Sequence, residues 1–386
     1  MTGPLAGIRV IELPNIGPVQ FAGMLLADMG AEVLRLDRAT DVATGSSVAG
    51  FVSPYSVIDR GRRSVGIDLK NERGADVVLQ LCEHADVLLE GFRPGVAERL
   101  GVGPDACRAR NPKLVYARMT GWGQDGPLSS DVGHDINYLS IAGVLWHIGP
   151  EGGAPVPPIN LLADFGGGGE LVVMGILAAL VERATSGVGQ VVDAAMVDGS
   201  AQLMSIFFGL DAMGGWGPRG TNILDGGAHF YNVYETSDGE YVSIASYEPK
   251  FYANLLALIG PLGFDDVDPA GQMDRSQWPA LRERIGALIR TRTSAEWVEF
   301  FAGPEVCFAP ILSMSQARAH PHNVERNTFV DVEGAPQPAP APRFSRTPSA
   351  VQRAPVAAGA DTDTALTEWG FSPAAVAALK ANGAIA

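Results

Sequence analysis

Residues 9–36 read RVIELPNIGPVQFAGMLLADMGAEVLRL, and their order decides the fold. Arg9 to Leu13 is an apolar β run, Pro18 suits a first helical turn, the helix carries on to Met29, Gly30 stops it, and Glu32 to Leu36 is a second strand. That is one βαβ unit. The same grammar recurs in the strand Ser64 to Leu69, a helix from about Glu72 to His84, the strand Asp86 to Phe92, a helix after Pro94 and the strand Leu114 to Met119. The alternation predicts an α/β chain with a Rossmann-like, doubly wound parallel sheet.

Further along, Phe165 and a glycine run lead into an apolar helix ending near Ala184, and Ser186-Gly187-Val188-Gly189 turns the chain into the strand Gln190 to Ala194. Beyond Asp225 the pattern changes. Phe230 to Tyr234 and Tyr241 to Ala245 flank the hairpin signal Ser237-Asp238-Gly239, and amphipathic helices follow. The expected organisation is therefore a large α/β domain over 1–200, a connector over 201–224, a smaller α+β domain over 225–320, and a return over 321–386. In that return the proline-rich stretch 334–360 reads as a stiff linker. A last helix, with Ser372 as N-cap, runs to Ala381 and completes the large domain.

The 386 residues are 46% hydrophobic and 18% charged, enough for real cores in two domains and too apolar for a disordered chain. A formal net charge of −15 argues against general binding to nucleic acid or to an anionic membrane. Residues 1–120 balance acid and base, so an anionic ligand is expected there. The three cysteines, Cys82, Cys107 and Cys307, are odd in number and without close spacing, which supports neither a disulfide framework nor a Cys-rich zinc site and points to a reducing, cytoplasmic setting. The stretch from Met1 to Leu5 runs straight into strand-like Arg9 to Leu13 without a basic n-region and apolar h-region, so no signal peptide is expected. The apolar run Leu171 to Val181 lies between Glu170 and Glu182 and falls short of the roughly 20 residues a bilayer requires, so no membrane span is expected.

The opening βαβ invites a dinucleotide reading, with Asp37 where a ribose-binding acid would sit. Its loop, Pro14-Asn15-Ile16-Gly17-Pro18, lacks the glycines that let backbone approach a pyrophosphate, and there is no Walker A sequence. There is no Gly-x-Ser-x-Gly elbow, and His320 and His322 flank Pro321 with no cluster of ligating residues, so neither a metal nor a resident cofactor is expected. Arginines do recur near predicted strand ends, at Arg38, at Arg60, Arg62 and Arg63, and at Arg93 and Arg99. Singly each reads as a solvated charge. As a set they could converge on one phosphate-bearing molecule outside the carboxyl ends of the strands.

The most informative stretches are Met119-Thr120-Gly121-Trp122-Gly123-Gln124-Asp125-Gly126-Pro127, Gly133-His134-Asp135-Ile136-Asn137-Tyr138 and Asn160 to Gly169. With Gly30-Ala31-Glu32-Val33, Arg93-Pro94-Gly95, Gly189-Gln190-Val191-Val192-Asp193, Asn222 to Gly227 and Ala341 to Ser345, they make the chain resemble the family III CoA-transferases from Leu5 to about Ser345. His134 points to the racemase branch, because the transferases use the aspartate alone as nucleophile. The resemblance implies interconversion of R and S 2-methyl-branched acyl-CoA thioesters by 1,1-proton transfer through an enolate. CoA would be part of the substrate, and the protein an interlocked homodimer. CoA transfer with Asp164 as nucleophile, or non-catalytic acyl-CoA binding, are the alternatives.

Racemisation at a carbon alpha to a thioester requires a base on one face and a conjugate acid on the other. His134 and Asp164 are the candidates, although spacing alone does not pair them. Asp164 precedes Gly166 to Gly169 at the mouth of a helix, whose amides would hold a carboxylate ionised while absent side chains admit a bulky thioester. In one direction Asp164 has to be protonated, so burial is expected to push its pKa up. By the resemblance, Glu248 would orient His134, in cis or in trans, the Asp135 amide would donate to the enolate oxygen, and Arg38, Arg60, Arg63, Arg93, Arg99 and Tyr138 would line the CoA pocket. One departure from the family pattern is His229, where the racemases usually carry proline. It reads as a local loop change rather than a polar group facing the acyl tail.

Overall fold

Six strands, β1 (Arg9–Glu12), β2 (Glu32–Arg38), β3 (Arg63–Ile67), β4 (Val87–Glu90), β5 (Val115–Thr120) and β6 (Val191–Ala195), pair in the order β3-β2-β1-β4-β5-β6, all parallel. The structure is a computed structural model and describes residues 2–44 and 55–386. Alternation with period two explains why these segments form a sheet covered on both faces. Ile11, Leu34, Leu88 and Tyr116 point into one core, with Leu81, Trp369 and Leu379; Val10, Val33, Leu89 and Ala117 point into the other, with Leu26, Val172 and Ile176. The strand order reverses between β1 and β4, and the crevice at such a switch point, outside the carboxyl ends, is where open α/β sheets bind ligands.

The chain divides into two compact units, one of Met1–Ala142, Ile159–Leu203 and Arg326–Ala386, the other of Gly143–Pro158 and Met204–Glu325. These boundaries differ from the expected ones. The excursion over 143–158 belongs to the second unit because Arg219 lies over the Trp146 ring at 5.3 Å and donates to carbonyls of Trp146 and Gly153, while Trp216 Nε1 meets His147 Nδ1 at 3.1 Å. The supposed linker over 334–360 also holds a strand. β7 (Tyr231–Glu235), β8 (Tyr241–Ala245) and β9 (Phe308–Ile311) form an antiparallel sheet in the second unit, and β10 (Phe329–Val332) pairs with β11 (Ala335–Pro338) in the first. Glu333 and Gly334 both take positive φ, as a two-residue hairpin turn requires. The prolines at 336 and 338 alternate with Ala335 and Gln337, so the missing N–H groups fall on one side of the strand.

The helix after Asp164 is longer than expected. The helical run Ile159–Ser186 contains an 18-residue stretch of mean hydropathy 1.5, long and apolar enough to cross a membrane by length and composition alone. It grew past the expected start because Gly166 to Gly169 stay helical. Val172, Val173, Ile176 and Ala179 pack it on the sheet.

His229 lies in the core of the second unit, 1% exposed, its Nε2 2.8 Å from the Tyr252 hydroxyl. Burial lowers its pKa to about 4. The unfolded chain takes up a proton near pH 6.5 and the folded one resists until about 4, so this contribution is full above pH 6.5 and lost as pH falls toward 4. At about 1.4 kcal/mol per pK unit the loss is about 3 kcal/mol. Denaturation midpoints taken down this pH range are expected to fall less steeply for His229→Gln than for the unaltered protein; parallel curves would contradict the assignment.

Candidate active site

A cavity of about 700 Å³ opens at the switch point, lined by Pro14–Val19 after β1, Arg38 ending β2, Gly91–Pro94 after β4, Thr120–Trp122 after β5, and Gly133, His134, Tyr138, Asn160 and Asp164. His134 is the N-cap of the helix Asp135–Ile141, with its own N–H held by Asn137 Oδ1 at 3.0 Å and its side chain exposed.

Asp135 joins this helix to the segment bearing Asp164. Its Oδ2 accepts the N–H groups of Ala163, at 2.8 Å, and of Asp164, at 3.0 Å, and the residue is 4% exposed. These two amides at the start of the segment are thus committed to Asp135 rather than to the Asp164 carboxylate. Asp164 is the third residue of the π-helical segment Leu162–Glu170, and π turns recur at functional sites. Burial raises its pKa, and the neighbouring Asp135 carboxylate adds to the rise; the Asn160 Nδ2 donor at 3.0 Å and His134 work against it.

The glycines after Asp164 serve a different purpose from the one expected. A Cβ on Gly167 would stand 2.8 Å from the Ser200 nitrogen, one on Gly168 2.8 Å from Met196 Cγ, and one on Gly169 2.6 Å from Phe21. Their missing side chains let the helix Met196–Leu203 and Phe21 close on the π segment rather than make room for a thioester. Two other glycines do shape the cavity. A Cβ on Gly121 would meet the Tyr138 ring at 2.1 Å and one on Gly133 at 2.7 Å. The ring seats edge-on to Trp122, and its hydroxyl donates to the Gly133 carbonyl. Burial and the Asp164 charge push the Tyr138 phenol up to about 12, with Arg93 opposing, so it stays a neutral donor.

Of the expected phosphate ligands, Arg38 and Arg93 line this cavity, and Arg93 and Arg99 line an adjoining hollow of about 560 Å³. Among the described residues no carboxylate pairs with any of the three. Arg60 and Arg63 are not brought here, a correction to the expected set. Arg60 is 2% exposed and holds Asp28, Gln337 and the Pro338 carbonyl. Arg63 opens β3 at its amino end, away from the crevice, and pairs with Glu368. Glu248 belongs to the second unit, exposed, at the N-cap of the helix Pro249–Ile259. Sequence reasoning gave no role to Asn160 or to the Asp135 carboxylate. The i, i+4 spacing of Asn160 and Asp164 was the available signal for the first; the second depends on a contact with Ala163 and Asp164 that no local pattern encodes.

Residues 5–362 match the profile of CoA-transferase family III. The alpha-methylacyl-CoA racemases of Mus musculus and Homo sapiens are 46% and 42% identical to this chain, each over 372 residues covering 95% of it and 94% of the relative. Among solved structures, Rv3272 from Mycobacterium tuberculosis superposes with a TM-score of 0.77 at 29% identity over 94% of this chain and 98% of that one. A CAIB/BAIF family protein from Brucella suis has the same fold, with a TM-score of 0.79 at 24% identity, over 96% of this chain and 100% of that one.

Proposed function

This chain belongs to CoA-transferase family III, and from that premise we propose that it is a racemase interconverting the R and S forms of 2-methyl-branched acyl-CoA thioesters by 1,1-proton transfer through an enolate. The observation that carries the reading is an imidazole, His134, and a carboxyl group, Asp164, on the wall of one cavity, their segments joined by Asp135. One group takes the alpha proton while the other, in its acid form, returns a proton to the opposite face. The raised pKa of Asp164 keeps that acid form within reach. The N–H of Asp135, at the first position of its helix, has no intrahelical acceptor and is the donor assigned to the enolate oxygen. Arg38, Arg93 and Arg99 are the ligands assigned to the CoA phosphates. Orientation of His134 by Glu248, an interlocked homodimer, a cytoplasmic location and a reaction without resident cofactor complete the proposal.

Incubation of a 2-methylacyl-CoA in heavy water, with no acceptor acid present, tests it. Deuterium at the alpha carbon together with loss of optical purity is the expected result. Label-free substrate, with CoA exchange once a second carboxylate is added and trapping of Asp164 by hydroxylamine, would instead identify a transferase.

The Asn160 hydrogen bond favours the ionised form of Asp164. Asn160→Ala is therefore expected to move the acidic limb of the kcat/KM profile to higher pH in the direction that uses Asp164 as base. An unmoved limb would show that another group sets it.

A further inference from the structure

After β4 the chain runs from Glu90 through Gly91, Phe92, Arg93, Pro94 and Gly95 into the short helix Val96–Arg99. Two cationic cavity residues, Arg93 and Arg99, thus ride on one loop. Glu90 lines neither hollow and is 0% exposed. Its Oε2 accepts the Phe92 N–H at 2.6 Å, and its Oε1 accepts Arg118 Nε at 2.8 Å. Arg118, on the neighbouring β5, turns its two remaining nitrogens to Glu98, at 2.8 and 3.3 Å. One guanidinium therefore holds the loop at both ends, beside Arg93 through the Glu90–Phe92 bond and beside Arg99 through Glu98. The Tyr116 ring lies 6.0 Å from the guanidinium, its hydroxyl fixed by the Val102 carbonyl at 2.9 Å.

We propose that Glu90, Arg118 and Glu98 form a clamp that sets Arg93 and Arg99 for the phosphates of CoA, and that a proton on Glu90 loosens it. The proposal rests on the acyl-CoA reading above and concerns positioning residues, since none of the three lines the cavity. Glu90 is suited to sense pH. Burial raises its carboxyl to about 7, the Phe92 N–H and Arg118 pull it back, and Glu98 on the helix pushes it up. Arg118 and Tyr116 from β5 and Glu98 from the helix are the titratable groups facing it, and just past β1 stands Leu13, whose N–H bonds to the Leu89 carbonyl. When Glu90 is neutral, Arg118 loses one of its two anionic partners and the loop keeps only the half-exposed Glu98.

Simple electrostatics predicts the opposite outcome, because removing a buried negative charge near a polyanion site tightens the polyanion. Calorimetric titration of the full-length protein with free CoA decides between them, with the ratio of variant to unaltered Kd read at each pH so that titration of the ligand's own phosphates cancels. For Glu90→Gln the clamp predicts a ratio of about ten near pH 8, falling toward one near pH 6, where the natural side chain is itself neutral. A ratio near one at both pH values, or tighter binding by the variant, overturns the clamp. Should Glu90→Gln not fold, Glu98→Gln carries the test from the surface, with CoA binding expected to weaken about threefold; unchanged Kd there overturns it. If the unaltered protein binds no CoA, the functional reading falls and takes the clamp with it, whereas CoA binding with a flat ratio removes the clamp alone.

Discussion

Asp164→Ala is expected to lose racemisation by about three orders of magnitude, the scale on which a positioned acid or base contributes, while one isotope-exchange reaction survives. With only the imidazole left, the enantiomer whose alpha hydrogen faces His134 can still be deprotonated and reprotonated from the same side. It then takes up deuterium without inverting. His134→Ala is expected to give the mirror result, exchange confined to the other enantiomer, through a carboxylate already raised by burial. Measuring label and optical rotation together on each pure enantiomer checks this. Loss of exchange from both enantiomers in either single variant, or retention from both, would contradict a two-base site. The Asp135 carboxylate accounts for the sensitivity of such a site to geometry, because its bonds to the Ala163 and Asp164 N–H groups fix the spacing of the two proton carriers.

How much of this was legible beforehand differs residue by residue. β1, β4 and β5 could be read directly, because each carries a short apolar run, Val10-Ile11, Val87-Leu88-Leu89 and Val115-Tyr116-Ala117, and around the first helix Pro18 marks the start and Gly30 the end. His134 and Asp164 stood out through the family resemblance, and the cavity holds both. The arginines were only half legible. Arg60 and Arg93 look alike in sequence, yet one meets Asp28 and Gln337 in the interior and the other faces solvent. Partners so far away along the chain leave no local mark. The glycine run misled for a related reason, since the residues that need its missing side chains, Phe21, Met196 and Ser200, belong to other helices. The strand over Ala335–Pro338 was hidden by its prolines, whose alternation becomes meaningful only once the partner strand is known.

The largest stability effect is expected at Arg62, which the sequence grouped with Arg60 and Arg63 without giving it a ligand. Its guanidinium is 0% exposed, holds both oxygens of Glu12 at 2.6 and 2.8 Å, and reaches Asp59 at 2.6 Å. Arg62→Met leaves Asp59 with Arg35, at 3.2 Å, but strands Glu12. No repacking relieves it from the helix side, since a Cβ on Gly23 would already stand 2.0 Å from Glu12 Oε2. An abandoned buried charge typically costs about 3–5 kcal/mol. Burial already raises the Glu12 carboxyl despite Arg62, and without the arginine it rises further, so the deficit is expected to shrink at acid pH as Glu12 takes a proton. Glu12→Gln in the Arg62→Met background removes the charge and is expected to recover most of the loss, which a double-mutant cycle by denaturant unfolding measures. Equal deficits in the single and double variants would mean that lost packing, not the stranded carboxylate, is responsible. The site shares the consequence, because Glu12 ends the strand from which Pro14 to Val19 enter the cavity wall.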